Sequence, residues 1–308
     1  MRERPGDTRH ECESFDMAVE EVCMQMRRSG TDWRMTITCR NPGAGEERRT
    51  MVSYHVCING IWVDAYYSQN TVNTVFLPLL QRLTALQQKK ERRILVMLAA
   101  PPGCGKTTMA GFLEKLSREQ KGLTPVQVIG MDGFHRRQEY LQSHYVERDG
   151  MRVPMVQIKG APVTFDLQKL TDSVRKVASG ETCGWPVYDR MLHNPVEDAL
   201  TVDGKIILLE GNYLLLDEEG WRELSSYSDY TISVTANVSL LRSRLIARKK
   251  QTGVEKEAAV RFVDYSDMTN VYLCLRKTKK ADLSLRLDDE GEYQVIDSLT
   301  YEAAAVSI

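Results

Sequence analysis

With 308 residues, 42% of them apolar, the chain is long enough for one large domain, or a large and a small one, around a sizeable core. Its 41 basic residues balance 42 acidic ones for a formal net charge of -1, which argues against nucleic acid or an anionic membrane as partner, and no apolar run approaches bilayer length. Seven scattered cysteines, odd in number and never spaced C-x-x-C, argue against a disulfide framework or zinc site and for a reducing cytoplasm, and MRERPGDTRHECE lacks the apolar core of a secretion signal.

Residues 1 to about 12 are polar and read as loose. Over residues 14–28, Phe15, Ala18, Val19, Val22, Cys23 and Met26 recur at helical spacing, predicting a helix that stops near Gly30. Strand-like runs follow at 33–40, 51–58 and 61–67, the second with Val52, Tyr54, Val56 and Ile58 alternating against Ser53, His55 and Cys57. Asn59-Gly60 is a strong hairpin signal, so a three-stranded antiparallel meander is expected. Proline is tolerated only in a first helical turn, so Pro78 puts the next helix at about 77–93, with Leu79, Leu80, Leu83 and Leu86 as its buried stripe. A longer helix from Thr71, kinked at Pro78, is the less favoured version. Residues 1–92 thus read as a small α+β appendage, and 93–308 as a second domain.

That second domain opens on ILVMLA at 94–99, an apolar run without alternation, as in a strand covered on both faces. A turn of small residues at 100–105 then leads into Lys106-Thr107-Thr108 and a helix over 107–120. This is the pattern of a phosphate-binding loop, in which glycines let the backbone wrap an anion in front of a helix N-terminus. Gly103, Cys104, Gly105, Lys106, Thr107 and Thr108 are the candidate nucleotide contacts; Lys106 would reach the outer phosphates and the Thr107 hydroxyl would join a magnesium shell. One position departs from G-x-x-x-x-G-K-[ST]: Ala100 stands where the pattern has its first glycine.

Further buried strands are predicted at 126–130, 205–210 and 230–235, and a last pair at 283–287 and 293–296 around the turn DDEG. Between them lie a helix capped by Asp166 and stopped by Gly180, with the stripe Leu167, Leu170, Val174 and Val177, and an arginine-bearing helix at 239–250. Strands alternating with helices give an α/β fold with a doubly wound, mostly parallel sheet and helices on both faces.

A phosphate loop serves kinases, GTPases and motors alike, so neighbouring groups must decide. Asp132, at the mouth of the strand after the loop helix, stands where strand ends converge on a ligand, and a carboxylate there can take the proton of an attacking hydroxyl. Glu210 ends the next strand and can hold magnesium; on these residues alone the two acids could exchange roles. Arg244 and Arg248, four apart on one helical face, are placed to meet charge on a transferred phosphoryl group. Asn270, in YSDMTN, reads as a turn or capping residue, and Cys104 as a small loop residue without redox role.

Behind APPGCGKT, the segments GMDGFH (130–135), PVYDRMLH (186–193), LLEGNYLL (208–215) and RSRLIARK (242–249) follow in an order that resembles the phosphoribulokinase, uridine kinase and bacterial pantothenate kinase superfamily, over about 94–287. KGAPVTFD (159–166) also has counterparts, in members described as nucleoside or sugar kinase-like proteins of bacteria. The resemblance implies ATP-dependent, magnesium-assisted phosphorylation of a hydroxyl on a small molecule. It implies Asp132 as catalytic aspartate, Tyr188, Asp189 and His193 at the acceptor with Arg190 beside them, and Arg244 and Arg248 as lid arginines; His135 is a further candidate for gripping the acceptor. Three roles are open to the appendage: covering the acceptor site, building a homo-oligomer interface, or capping the sheet. The competing reading is a regulatory nucleotide-binding protein or slow ATPase without an acceptor; no N-K-x-D motif supports a GTPase switch.

Overall fold

The computed structural model describes residues 21–29, 32–40, 51–58, 61–148 and 150–296. The chain divides into two compact units, Met1–Met51 and Val52–Ile308. In the first, strand β1 (Glu21–Ser29) pairs antiparallel with β2 (Asp32–Arg40), in register from Glu21 opposite Arg40 to Ser29 opposite Asp32. The helix expected at 14–28 is therefore corrected over its described part. Val22, Met24 and Met26 fit a period of two as well as a helical one, and a β-rich partner such as WRMTITCR decides between them. Residues 1–20, over which the start of that helix and a loose terminus are expected, lie outside the described residues.

The second unit begins with β3 (Met51–Ile58) and β4 (Ile61–Ser68), which pair with each other. The N-terminal strands thus form two separate two-stranded sheets, β1 with β2 and β3 with β4, rather than one three-stranded meander. Helix α1 (Gln69–Thr71), capped by the Ser68 hydroxyl, continues through a π-helical turn (Val72–Phe76) into α2 (Leu77–Lys90). The longer helix is the one that forms. Pro78 has no N–H for the usual i→i−4 bond, and the widened turn just before it, with Leu77 N–H donating to Val72 O, absorbs the irregularity.

Strand β5 (Ile94–Ala99) follows, then α3 (Lys106–Glu119), β6 (Val126–Gly130), α4 (Gln138–Ser143) and a hairpin of β7 (Tyr145–Arg148) with β8 (Met151–Pro154). Helix α5 (Leu167–Ser179) starts at Asp166, whose carboxylate accepts from Lys169 N–H at 3.2 Å, and stops at Gly180 with φ +91°. Strands β9 (Cys183–Asp189) and β10 (Asn194–Val202) form another antiparallel pair. The chain then runs through β11 (Ile206–Gly211), β12 (Tyr230–Ala236), α6 (Val238–Gln251), α7 (Lys256–Phe262), a second π-helical turn (Val263–Asp267), α8 (Met268–Lys277), β13 (Leu283–Leu287) and β14 (Tyr293–Val295).

Six strands make the central sheet in the order β14-β13-β12-β5-β11-β6, all parallel except the edge strand β14. Along β5, Ile94, Val96 and Leu98 enter one hydrophobic core while Leu95, Met97 and Ala99 enter another, so both faces are covered and every residue is buried. The first core takes Val72, Phe76, Leu80 and Leu83 of the helical stretch before β5, Leu113 of α3 and Leu241 of α6; the second takes Leu170, Val174 and Val177 of α5 with Trp185 of β9. The crossover from β5 through α3 to β6 leaves room for β11 between them. Glu210 therefore stands in register with Leu98 on one side and Gly130 on the other, between the ends of the strands that carry the phosphate loop and Asp132.

Candidate active site

The turn from β5 into α3 adopts left-handed backbone at Gly103 (φ +84°) and Gly105 (φ +83°), which frees its N–H groups to face an anion in front of the helix. A Cβ on Gly103 would stand 3.0 Å from the Leu241 carbonyl and 3.1 Å from Leu245 Cγ, so α6 packs directly on the loop. Ala100 has no positive φ and is buried, with its N–H donating to Gly211 O at 3.3 Å; the departure from glycine is sterically harmless here. Burial pushes the Cys104 thiol up to about 12 against the pull of Lys106 and Arg244, so it stays protonated. Thr108 is half-buried in the first turn of α3.

Thr107 donates its hydroxyl to Glu210 Oε1 at 2.9 Å. Glu210 is 6% exposed, and its Oε2 has no hydrogen-bond partner among the described residues. Burial raises its carboxyl above the usual range; Lys106 and the Thr107 bond oppose this, and Asp132 adds to it. A hydroxyl and a carboxylate with an unused oxygen are hard donors of the kind Mg²⁺ takes alongside nucleotide phosphates. Among the described residues no cluster of three or more His, Cys, Asp or Glu side chains forms an all-protein metal cage.

Asp132 lies in a single 3-10 turn, Met131–Phe134, at the end of β6. Burial pushes its carboxyl up, but His135, Lys106, Arg190 and Arg248 outweigh that and hold it below the ordinary aspartate value. The carbonyl of Asp132 can only accept, so the 2.8 Å contact with His135 Nδ1 fixes the proton on Nδ1. Burial lowers the His135 pKa, with Lys159 and Arg190 adding to it and Asp132 opposing it. That ring rests 3.9 Å from the Phe165 ring and 5.2 Å from Tyr188, centroid to centroid.

Strand β9 is locked against this turn. Trp185 Nε1 donates to Gly130 O at 2.9 Å, and a Cβ on Gly133 would fall 1.9 Å from the Pro186 carbonyl oxygen, so only glycine fits. The lock carries Tyr188 and Arg190 into the electrostatic field of Asp132. From α6, the Arg244 Nη1 lies 4.0 Å from where a Gly105 Cβ would be, and Arg248 acts on Asp132, Arg190 and Asp267. Arg242 instead faces outward in a two-bond ion pair with Asp264.

Of two further residues expected at the acceptor, one is exposed and the other bonds backbone N–H groups. The His193 side chain is exposed, and this residue offers its carbonyl to Lys159 Nζ at 3.1 Å. Asp189 spends Oδ1 on the N–H groups of Met191 and Leu192. Asn270 is corrected from turn or cap to the buried interior of α8, 3.7 Å from a Cβ on Gly160, because the helix extends on both sides of it. Lys159 emerges as a site neighbour that the sequence reading did not single out. Its ammonium bonds Gln138 Oε1 at 2.8 Å and lies 4.9 Å from the Tyr188 ring centre, and KGAPVTFD was its only signal.

The model of the Phosphoribulokinase / Uridine kinase family matches residues 95–286. The uncharacterized protein YggC of Escherichia coli K12 is 40% identical over 237 residues, which is 77% of this chain and 96% of that one. The uridine kinase of Halalkalibacterium halodurans is 26% identical, covering 55% of this chain and 74% of its own. Among solved structures, a provisionally named fructose transport system kinase from Silicibacter sp. TM1040 aligns with a TM-score of 0.57 at 29% identity, over 66% of this chain and 98% of that one.

Proposed function

From the premise that the chain belongs to the phosphoribulokinase/uridine kinase family, we propose that it is an ATP-dependent kinase that transfers the γ-phosphate to a hydroxyl of a small molecule. The observation that carries this reading is the convergence on Asp132. One lysine at the start of the loop helix, Lys106, acts on both Asp132 and Glu210, so the phosphate cradle, the candidate metal ligand and the candidate base share one site.

In this reading the loop N–H groups from Gly103 to Thr108, together with Lys106, hold the triphosphate. Thr107 and Glu210 would hold Mg²⁺, which would neutralise charge on the phosphate oxygens. Arg244 beside the loop and Arg248 beside Asp132 meet charge that builds on the moving phosphoryl group. The acceptor hydroxyl, oriented by Asp132, forms a bond to the γ-phosphorus as the bond to the β,γ-bridging oxygen breaks and ADP leaves. Its proton passes to the Asp132 carboxylate. A carboxylate held at low pKa is a weak base, which suffices where the transition state is loose and the proton moves late. Glu210, tied to Thr107 and buried, suits the metal role better. Tyr188, Arg190 and His135 wall the acceptor side. The cytoplasm suits the free thiols Cys104, Cys183 and Cys274, and among the described residues no helix is long and apolar enough to cross a membrane.

The test is ADP release measured over a panel of nucleosides, sugars and pantothenate. Acceptor-dependent release is expected for at least one class. A low rate that ignores every acceptor would sink the kinase reading in favour of a regulatory ATPase.

A further inference from the structure

The cations around Asp132 divide by what neutralises them. Lys106 and Arg244 stand at the phosphate loop and Arg248 beside Asp132 and Asp267, where a nucleotide's phosphates would claim them. Arg190 and Lys159 have no such claimant. Arg190 is half-buried, and among the described residues it makes no ion pair or hydrogen bond. Lys159 is half-buried too, and its two hydrogen bonds go to neutral oxygens, Gln138 Oε1 and the His193 carbonyl.

The nearby acids are occupied. Asp189 accepts two backbone N–H groups at 2.7 and 3.0 Å, Glu210 accepts from Thr107, and Asp267 faces Arg248 and Lys249. Asp132 faces Arg190, but it also faces Lys106 and Arg248, one carboxylate among three cations, and it must serve the hydroxyl. Tyr188 joins the two cations: its ring lies under the Lys159 ammonium, and its hydroxyl, unbonded among the described residues, feels the Arg190 guanidinium. Half-buried cations that outnumber the carboxylates around them are costly to keep, and a planar guanidinium suits two-point recognition of carboxylate or phosphate.

We infer that the acceptor carries an anionic group, a carboxylate or a phosphate ester, near the hydroxyl that is phosphorylated, and that Arg190 and Lys159, with the Tyr188 hydroxyl, bind that group. The inference rests on the kinase reading and narrows its acceptor class.

The test uses the full chain with Mg-ATP and matched acceptors that differ only in charge: a set of aldoses, the corresponding aldonates and the corresponding sugar phosphates. The wild type is expected to favour one anionic series by about 10- to 100-fold in kcat/KM, as charge-assisted hydrogen bonds allow, and the two anionic arms tell carboxylate from phosphate. Arg190→Gln and Lys159→Gln should each collapse the anionic-to-neutral ratio, mainly through KM. Titration with an ATP analogue, giving unchanged nucleotide affinity, checks that each variant is folded. Neutral acceptors used as well as anionic ones would overturn the inference and leave the kinase reading intact. Equal loss on every acceptor would also overturn it, placing Arg190 with the transferred phosphoryl group. Transfer neither to these acceptors nor to any nucleoside or pantothenate, with ATP merely hydrolysed, would overturn both.

Discussion

At Asp132 the local charges decide what the carboxylate can do. Lys106, Arg190 and Arg248 hold it ionised, so Asp132→Asn removes a proton acceptor while keeping its shape. Turnover should fall roughly 10²- to 10⁴-fold with nucleotide affinity kept, as steady-state kinetics and analogue titration would show. Because its folded pKa is lowered, the carboxylate stays charged above the ordinary aspartate range and is lost only as pH falls through a value below it. The kcat profile of the wild type should therefore show no limb from this group between pH 5 and 9; an acidic limb there that vanishes in Asp132→Asn would contradict the assignment. Glu210 has the opposite sign. Its raised pKa means that native stability is lost as pH rises from the unfolded value through the folded one. Glu210→Gln should stabilise the ligand-free protein by about 1 kcal/mol, a Tm rise of about 2–4 °C for a chain of this size, and should abolish the further rise that Mg-ATP gives the wild type. Calorimetry with and without Mg-ATP tests both halves. The phosphate loop, Asp132, Glu210 and the arginine pair were legible because each rests on a short local pattern. Lys159 was not, since its partners lie 21 and 34 positions away.

At the scale of elements, the site depends on how closely β9 approaches the turn after β6. A methyl group at Gly133 would stand 1.9 Å from a backbone carbonyl, which no side-chain motion relieves. Gly133→Ala should cost about 3 kcal/mol or more and slow turnover on the order of 100-fold by shifting Tyr188 and Arg190 from Asp132. Gly122→Ala is the control: its φ is +86° but nothing lies within 4 Å, so only backbone strain, about 1 kcal/mol, is expected. Denaturant unfolding and steady-state rates separate the two. Gly133 carried no signal of its own in the sequence; its contact with Pro186 is a pairing across 53 positions that no local pattern records. Over its described part, the helix expected at 14–28 failed for a related reason. A short apolar segment fits two periods, and β2 is the partner that makes the strand. Pro78 gave its constraint correctly, yet the chain met it with a π-helical turn instead of a helix start.

Across the whole molecule, the parallel sheet was legible from its buried runs, since strands covered on both faces lose their alternation. How the segment before β5 relates to that sheet was not. Tyr67, Val72, Phe76, Leu79, Leu80 and Leu83 are all buried in the core beneath α3, and Thr71 Oγ1 donates to Glu292 Oε2 at 2.7 Å, tying this segment to the β13–β14 hairpin. A chain starting at Val52 should keep one cooperative thermal transition, whereas one starting at residue 93 should lose it, having stripped those apolar groups from the sheet. A cooperative, active 93–308 fragment would instead make the first 92 residues a separable appendage. The central claim remains that a phosphate cradle and Asp132 serve one reaction. It is tested most directly by following the label of γ-³²P-ATP during turnover with the best acceptor. The account predicts label in an alcohol phosphate ester, formed one for one with ADP and suppressed in Asp132→Asn. Label appearing only as inorganic phosphate, at a rate no acceptor alters, would contradict it.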